Sequence, residues 1–553
     1  MNCVFSSRRG EGEGRAVDRK LVLLACASIL LLSCVGVSFQ FIEPVRAVTT
    51  WTVDDDGPAD FSSIQEAINS PVVKDGDTIF VYNGTYYENV VVNKTVSLVG
   101  ENKHTTIIDG GETGNVVCLR ANNIKISGFT IRNSGTFDWD SGVYVSPLDW
   151  DTSVCVSRSS GNNISFNIVT NNENGIFIHE SSKNTLTNNV VTANRVYGVH
   201  LWDTSNDILT DNTVSNNFDG IIIELCSNAI LRNNTASGNM DNFGVGGVEL
   251  SHFVHDIDTS NKVEGKSIRY LVNRKDIVID SSWDVGYLCL VNSTNVTVKD
   301  LTLTVRNWHG IKFAYTKNSR IENVTISRTS YAIDFSYSSN NTIINNNILN
   351  QMGIRLDDSN GNAIINNSIS NTWHAISFYS SSNNTITNNY VNNNRYGIWS
   401  YDSSDNKIYH NNFVENIQQA YDSSIECPEY PLSINIWDDG YPSGGNYWSD
   451  YTGLDVYSGL YQNATGSDGI GDTPYIIDEN NQDIYPLMKP WRAVLGDLNN
   501  DGKVNIKDIA IWGLAFGSYP GHPRWNPNAD LDNNQVINII DGVKIAKDFG
   551  KTY

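Results

Sequence analysis

A short phrase recurs through the middle of the chain: an apolar residue, a small or polar one, then Asn-Asn or Asp-Asn, as in LTNN at Leu186, LTDN at Leu209, LRNN at Leu231 and INNN at Ile344. Ile164, Leu186, Leu209 and Leu231 lie 22, 23 and 22 residues apart, and Ile321, Ile343, Ile364, Ile386 and Ile408 lie 22, 21, 22 and 22 apart. A fixed period of this kind marks one supersecondary unit per repeat. A second phrase keeps the same step, with Gly or Ala leading an alternating run: GIFIHESS at Gly175, GVHLWDTS at Gly198, GIKFAYTK at Gly310 and GIWSYDSS at Gly397. Apolar residues that alternate with polar ones indicate half-buried strands, and helical spacing is absent from both phrases. Coils of about 22 residues can bury their inward faces only by stacking, so the repeat predicts a mostly β parallel solenoid. A leucine-rich repeat would need leucine-rich phrases and helical outer segments, which this chain lacks. Asn at one turn of every coil is chemically apt, because it tolerates left-handed backbone and its amide can bond to the coils on either side.

Net charge is −23 with a pI near 4.7, which argues against nucleic acid as a partner. Arg8, Arg9, Arg15, Arg19 and Lys20 precede the apolar run from Leu21 to Phe41, and Val45-Arg46-Ala47 closes it with small residues. That order predicts a secretory signal over residues 1–47 and no stable membrane span once it is removed, with an uncleaved anchor as the alternative. Cys118, Cys155, Cys226, Cys289 and Cys427 are too scattered for a disulfide framework and lack zinc spacing.

After the signal come WTVDDDGPADFSSIQEAIN and GDTIFVYNGTYYENVVVNKTVSLVG. Phe61 to Asn69 is expected to form a short helix, opened by Asp60, that covers the first coil. This passage resembles the N-terminal coil of pectin-lyase-like right-handed β-helices, and the repeats resemble the NosD-type, carbohydrate-binding and sugar-hydrolase group of that superfamily. The resemblance covers Trp51 to Trp491. It implies a β-helix over residues 48–412, with an irregular insertion at 244–300 where the Asn-Asn phrase lapses. Residues 413–491 are rich in Gly, Pro and aromatic residues and read as an ordered, loop-rich cap. Asp468, Asp472 and Asp478 within it read as turn formers or as calcium ligands.

The segment from Asp497 to Asp508 places oxygen-bearing side chains at loop positions 1, 3, 5, 9 and 12: Asp497, Asn499, Asp501, Asn505 and Asp508, with the carbonyl of Lys503 as a further ligand. Such spacing wraps a hard cation. A second copy begins 33 residues on with Asp530, Asp532, Asn534, Val536, Asn538 and Asp541, and a helix is expected after each copy, from Ile509 to Phe516 and from Val543 to Phe549. The pair resembles a type I dockerin over residues 492–553, which implies a small all-α module, two calcium ions and a cohesin-bearing partner. Gln535 stands where such loops favour Gly, so the second site is expected to be the weaker. Ile506-Lys507 and Ile539-Ile540 occupy the positions at which dockerins of this type meet their cohesin.

Strand register also generates solvent-facing columns. One holds Tyr197, Asp219, His309, Tyr331, His374 and Tyr396; a second His200, Lys312, Asp334, Arg355 and Trp399; a third Trp202, Glu224, Asp357, Tyr379 and Tyr401. Aromatic faces beside carboxylates suit a sugar chain. Trp399, Tyr401 and Tyr379 are therefore the candidate substrate-binding residues, and Asp334, Asp357 and His309 the candidate catalytic ones. Lys312, Asp334 and Arg355 equally read as a ladder of paired charges. The sequence leaves open whether an exported, secreted or cell-surface protein of this kind only binds a polysaccharide or glycoconjugate, or also cleaves it as a glycoside hydrolase or lyase. A non-catalytic scaffold is the alternative. Copper handling, implied by the NosD resemblance, fits poorly: Met is scarce, His309 and His374 stand about 14 Å apart at the strand spacing, and His252 and His255 form the close pair.

Overall fold

The computed structural model describes residues 47–136, 152–349, 351–426 and 433–491, and beyond them 496–498, 503–520, 522–526, 529–532 and 534–551. The chain divides after Val48, and the unit from Thr49 to Tyr553 holds the repeats and both C-terminal loops. The signal expected over residues 1–47 lies outside the described residues except for its last one.

Each coil contributes three short strands, as in Asn174–His179, Thr185–Thr187 and Val190–Thr192. Every one pairs in parallel with its counterpart one coil on. Inward positions are apolar and fully covered, with Leu186, Leu209 and Leu231 in one column and Ile343, Ile364 and Ile386 in another. Each such side chain contributes about 1.5–3 kcal/mol through burial. The two residues of the Asn phrase do different work. The first takes the left-handed backbone conformation, with φ of 57° at Asn188, 57° at Asp211 and 55° at Asn233. The second turns inward into a ladder: Asn189 Nδ2 donates to Asn212 Oδ1 at 3.0 Å and to the Ile164 carbonyl at 2.8 Å, and Asn212 Nδ2 donates to Asn234 Oδ1 at 2.9 Å. Buried amides are thereby satisfied coil after coil.

The first coil is covered by α1 (Ile64–Asn69). Its cap is Ser63, whose side chain accepts from the Glu66 amide, and the helix starts later than Phe61. Asp60 is drawn away instead, accepting from the Thr52 amide and hydroxyl at 2.8 Å each.

In the first half of the solenoid, β1 (Tyr197–Trp202), β2 (Asp219–Glu224) and β3 (Asp241–Gly246) are neighbours in one sheet. Next come β4 (Lys262–Val263) and β5 (Lys266–Val272), followed by β6 (Tyr287–Val291), β7 (His309–Ala314), β8 (Tyr331–Ser336), β9 (Met352–Asp357), β10 (His374–Tyr379), β11 (Tyr396–Tyr401) and β12 (Gln418–Asp422). Strands β4 to β12 belong to one 16-stranded sheet.

The expected insertion is a reversal. β4 and β5 pair antiparallel across a tight turn in which Glu264 and Gly265 both have positive φ, 47° and 79°, as a two-residue hairpin requires. Beyond it the strands run the other way along the same sheet, and the core changes face. Ile268, Tyr270, Tyr287 and Cys289 belong to the core of the first half, whereas Leu288, Leu290, Ile311 and Phe313 belong to a second core. Reversing both strand direction and inward face preserves the right-handed winding. The outer face of β5 to β8 is consequently packed against the end of the first solenoid: Phe243 meets Tyr287 edge-on at 5.0 Å, Tyr270 donates to the Phe253 carbonyl at 2.6 Å, and Ser330 donates to Asp241 at 2.5 Å.

Past β12 the cap closes the last coil. Trp448 is stacked between Phe413 at 4.6 Å and Tyr475 at 4.3 Å. Asp468 and Asp478 accept from backbone amides of their own turns, those of Ile470 and Asn480, and Asp472 accepts from the more distant Val456 and Tyr457 amides at 3.0 Å. Trp491 fastens the chain as it leaves: its ring lies on His410 at 3.5 Å, its amide donates to Asn412 Oδ1 and its indole N–H to Asn388 Oδ1, each at 2.6 Å. Two helices come after it, α2 (Ile506–Ala515) and α3 (Ile539–Asp548). Both start earlier than expected because Asn505 and Asn538 act as caps. They enclose a small core that includes Val504, Ala515, Ile537 and Ile545.

Candidate functional site

The outward residues of β7 to β11 stand in the columns that alternation implies: His309 beside Tyr331; then Lys312, Asp334, Arg355, Ser377 and Trp399; then Ser336, Asp357, Tyr379 and Tyr401. They are not uniformly solvent-facing. His309, Lys312 and Asp334 are 3%, 3% and 1% exposed, because the end of the first solenoid covers β7 and β8. From β9 onward the face opens, and Arg355, Asp357, Tyr379, Trp399 and Tyr401 are half-buried.

In the covered part, Asp334 Oδ2 takes both Lys312 Nζ at 2.8 Å and His309 Nε2 at 2.9 Å, and Lys312 also reaches the Ser336 hydroxyl at 2.7 Å. Burial alone would raise the Asp334 carboxyl, but Lys312 and His309 outweigh it and hold it well below the usual carboxylate range. Burial pushes His309 down to about 4 despite its bond to Asp334, so the imidazole is neutral and donates as N–H. This is an internal ion pair with a hydrogen-bonded histidine. It is closed off from the open face.

The open part is a continuous band of flat groups. The Arg355 guanidinium lies 5.5 Å from the Tyr331 ring and 4.7 Å from the Tyr379 ring, and its Nη2 pairs with Asp357 at 2.8 Å. Trp399 is 4.6 Å from Tyr379, 6.3 Å from Tyr401 and 5.2 Å from His374, and His374 in turn is 5.2 Å from Tyr396. Burial raises the Asp357 carboxyl against the opposing pull of Arg355, and burial beside Arg395 pushes His374 down to about 4. Arg355, His374 and Tyr396, already placed in the outward columns by the sequence register, extend the site beyond the candidate binding residues.

A second group of carboxylates lies on the outer face of the first solenoid. Tyr197, Asp219 and Asp241 succeed one another on β1, β2 and β3. His200 Nε2 is 2.9 Å from Glu224 Oε2 and its ring stacks on Tyr197 at 4.2 Å. Burial, then Asp241 and Glu224, push the Asp219 carboxyl up to about 7. Nothing in the repeat marks Asp241 as belonging to this column, because its coil replaces the leading phrase with NFGVGG.

At the C-terminus, Asp530, Asp532 and Asp541 bring carboxylate oxygens within 4.8 Å of one another. Asp541 is fully buried, accepting from the Leu531 amide at 2.7 Å and the Asn538 amide at 2.8 Å, while Asn534 and Gln535 donate their amides to Asp530. The first loop closes in the same way, with the Leu498 and Asn505 amides on Asp508 at 2.8 Å each. Asp497 and Lys503 are described with it, whereas Asn499 and Asp501 lie outside the described residues. An all-oxygen set of this kind fits a hard divalent cation.

The profile described as "Periplasmic copper-binding protein (NosD)" matches residues 71–265 and 257–453. The chain belongs to the NosD family. Over 72 residues, 13% of its length, this NosD-family chain is 39% identical to a cell surface glycoprotein of Methanothermus fervidus, and the match spans 12% of that protein. Among solved structures it is similar to pectin methylesterase from carrot, with 12% identity, 50% of this chain and 81% of the other covered, and a TM-score of 0.27. It is similar also to the mannuronan C-5 epimerase A-module of Azotobacter vinelandii, with 14% identity, coverages of 65% and 92%, and a TM-score of 0.25. A third is the GH87 alpha-1,3-glucanase catalytic unit of Streptomyces thermodiastaticus, with 14% identity, coverages of 73% and 67%, and a TM-score of 0.29. Likenesses this distant bear on no individual residue.

The copper in the NosD description can be set against the donors present. Among the described residues, groups of three or more His, Cys, Asp or Glu ligand atoms are Asp54-Asp55-Asp56 and Asp530-Asp532-Asp541, all carboxylate. His255 uses both ring nitrogens, one on the Ala229 amide at 3.2 Å and the other on the His252 carbonyl at 3.0 Å. Copper favours clustered imidazole, thiolate or thioether, and these donors do not fit it.

Proposed function

We propose that this NosD-family protein acts outside the cytoplasm, binding a polysaccharide or glycoconjugate along the band from Tyr331 to Tyr401. The observation that carries the reading is the unbroken contact from Tyr331 through Arg355, Tyr379 and Trp399 to His374 and Tyr396, where the sheet's outer face opens beyond the end of the first solenoid. Flat, half-exposed rings stack on the C–H faces of sugars, and the Arg355–Asp357 pair beside them offers donors and acceptors for hydroxyls. Binding without cleavage is favoured over hydrolysis at these residues, because Asp334 is shut inside an ion pair and leaves Asp357 without the opposing carboxylate that glycoside hydrolysis requires. The periplasmic description of the family and the cell-surface relative support the location.

The second half of the proposal is that the C-terminal module is a type I dockerin that loads calcium at both loops and docks to a cohesin-bearing protein. Supporting it are the matching loop closures on Asp508 and Asp541 and the exposure of Ile506, Ile539 and Ile540 at 68%, 63% and 53%. Trp399→Ala combined with Tyr401→Ala tests the glycan reading: on a glycan array, the double variant should lose about 1–3 kcal/mol of binding free energy. Binding that is unchanged in that variant would move the site elsewhere, and absence of binding to any glycan would leave a scaffold.

A further inference from the structure

The asparagine turns of the second half carry a pattern that the amide ladder does not explain. Two columns of turns flank the seven-stranded sheet that contains Thr342–Ile344. Along one edge the left-handed residues include Asn295, Asn318, Asn340 and Asn383; along the other stand Asn323, Asn345, Asn366 and Asn388. Asn295, Asn323, Asn340, Asn366 and Asn383 are followed two residues on by Thr or Ser, in the phrases NVT, NVT, NNT, NNS and NNT. In an exported protein such a phrase is the acceptor for N-linked sugar. All five are exposed, with φ between 53° and 58°. Asn292 meets the phrase as well, outside both columns.

The turn requires the Asn but not the hydroxyl. Arg320 and Ala363 hold the register position of Thr297, Thr342 and Thr385. On the other edge, Asn347 and Tyr390 hold that of Thr325 and Ser368. The same register orders the five acceptors: they occupy successive coils, one to a coil, and fall on alternate edges of the sheet. Along one edge they are therefore two coils apart, about 10 Å, where adjacent coils would leave about 4.8 Å. Chains of sugar rings fit the wider spacing and collide at the narrower one.

We infer that Asn295, Asn323, Asn340, Asn366 and Asn383 are sites of N-linked glycosylation, staggered along both edges of this sheet. The donor is, by class, an oligosaccharide activated as a glycosyl phosphate. Nδ2 of the Asn bonds to the anomeric carbon as the bond from that carbon to the phosphate oxygen breaks. The phosphate leaves as an anion, the amide gives up one proton to solvent, and nothing is oxidised or reduced. One N–H stays on each amide, so the bonds from Asn295 Nδ2 to Asp276 and from Asn366 Nδ2 to Asn345, 2.6 Å each, can be kept. The aromatic band lies on a different sheet and is left uncovered. The assignment rests on the location proposed above and not on glycan binding.

The full-length protein would be purified from the cells that make it, after separation of cytoplasmic and extracytoplasmic fractions, and its proteolytic fragments read by mass spectrometry with fragmentation that retains sugar. Sugar is expected on acceptors of both edges and on neither Asn345 nor Asn388, which share the exposed turn and lack the hydroxyl. Thr342→Val, which keeps the shape and suits a strand, should strip Asn340 alone. Thr342→Ser should keep it modified, and both variants should melt as the wild type does. Bare asparagine along either edge in the extracytoplasmic protein, sugar on Asn345 or Asn388, or sugar kept at Asn340 in Thr342→Val would overturn the assignment and leave the location standing. A protein confined to the cytoplasm would remove the location and this inference together.

Discussion

At Asp219 the environment decides the protonation state. Burial raises its folded pKa from the ordinary 3.8 to about 7, with Asp241 one coil on and Glu224 adding like charge. The folded protein therefore binds this proton more tightly than the unfolded chain. Its contribution to stability is fully present below about pH 4 and is lost as pH rises through 7. Asp219→Asn removes the ionisable group, so the variant should melt with the wild type near pH 4 and above it at pH 8, by no more than about 4 kcal/mol before discounting for partial exposure. A melting difference that is flat across that range would show the carboxyl to be ordinary. Side-chain direction was legible in the sequence here, since alternation alone puts Asp219, Asp334 and Trp399 on the outer face. Burial was not. Whether an outward residue of the second half meets water depends on Phe243 and Phe253, which come from the end of the first half and lie outside the repeating phrases.

Single elements show the same division between what pattern can and cannot give. The inward rungs and the Asn turns follow from period alone, because each coil satisfies its backbone against an identical neighbour. Ends of elements do not repeat, and there the expectation slipped: α1 is opened by Ser63 since Asp60 is claimed by Thr52, and α2 and α3 begin at Ile506 and Ile539 because Asn505 and Asn538 are the first side chains able to cap them. In the second C-terminal loop, Gln535 has φ of 66°, a conformation that costs a residue with a Cβ about 1 kcal/mol and glycine nothing. Gln535→Gly should therefore tighten calcium at that loop about five-fold, read by calorimetry on the full chain against the wild type. Unchanged affinity would mean that the strain is released elsewhere or that the loop holds no calcium.

On the scale of the whole molecule, the sequence announced a solenoid and a lapse in its middle but not that the lapse turns the chain round. Two residues accomplish that, and Gly265 is the sensitive one: at φ of 79° a Cβ would meet nothing within 4 Å, so the cost of replacing it lies in the backbone alone. Gly265→Val should lower stability by about 1–2 kcal/mol, visible in thermal unfolding, whereas an unshifted transition would show the turn to be tolerant. The clip at Trp491 has a mechanical meaning. If the C-terminal module is anchored to another body while the solenoid holds a long polymer, tension enters the fold where the chain leaves it. Coils stacked edge to edge would then peel one at a time, like rope from a spool. A ring pressed against His410, with both its N–H groups bonded to coils deeper in the stack, makes the last turns yield together or not at all, so the load is borne in shear across several strands instead of at a single lifting edge.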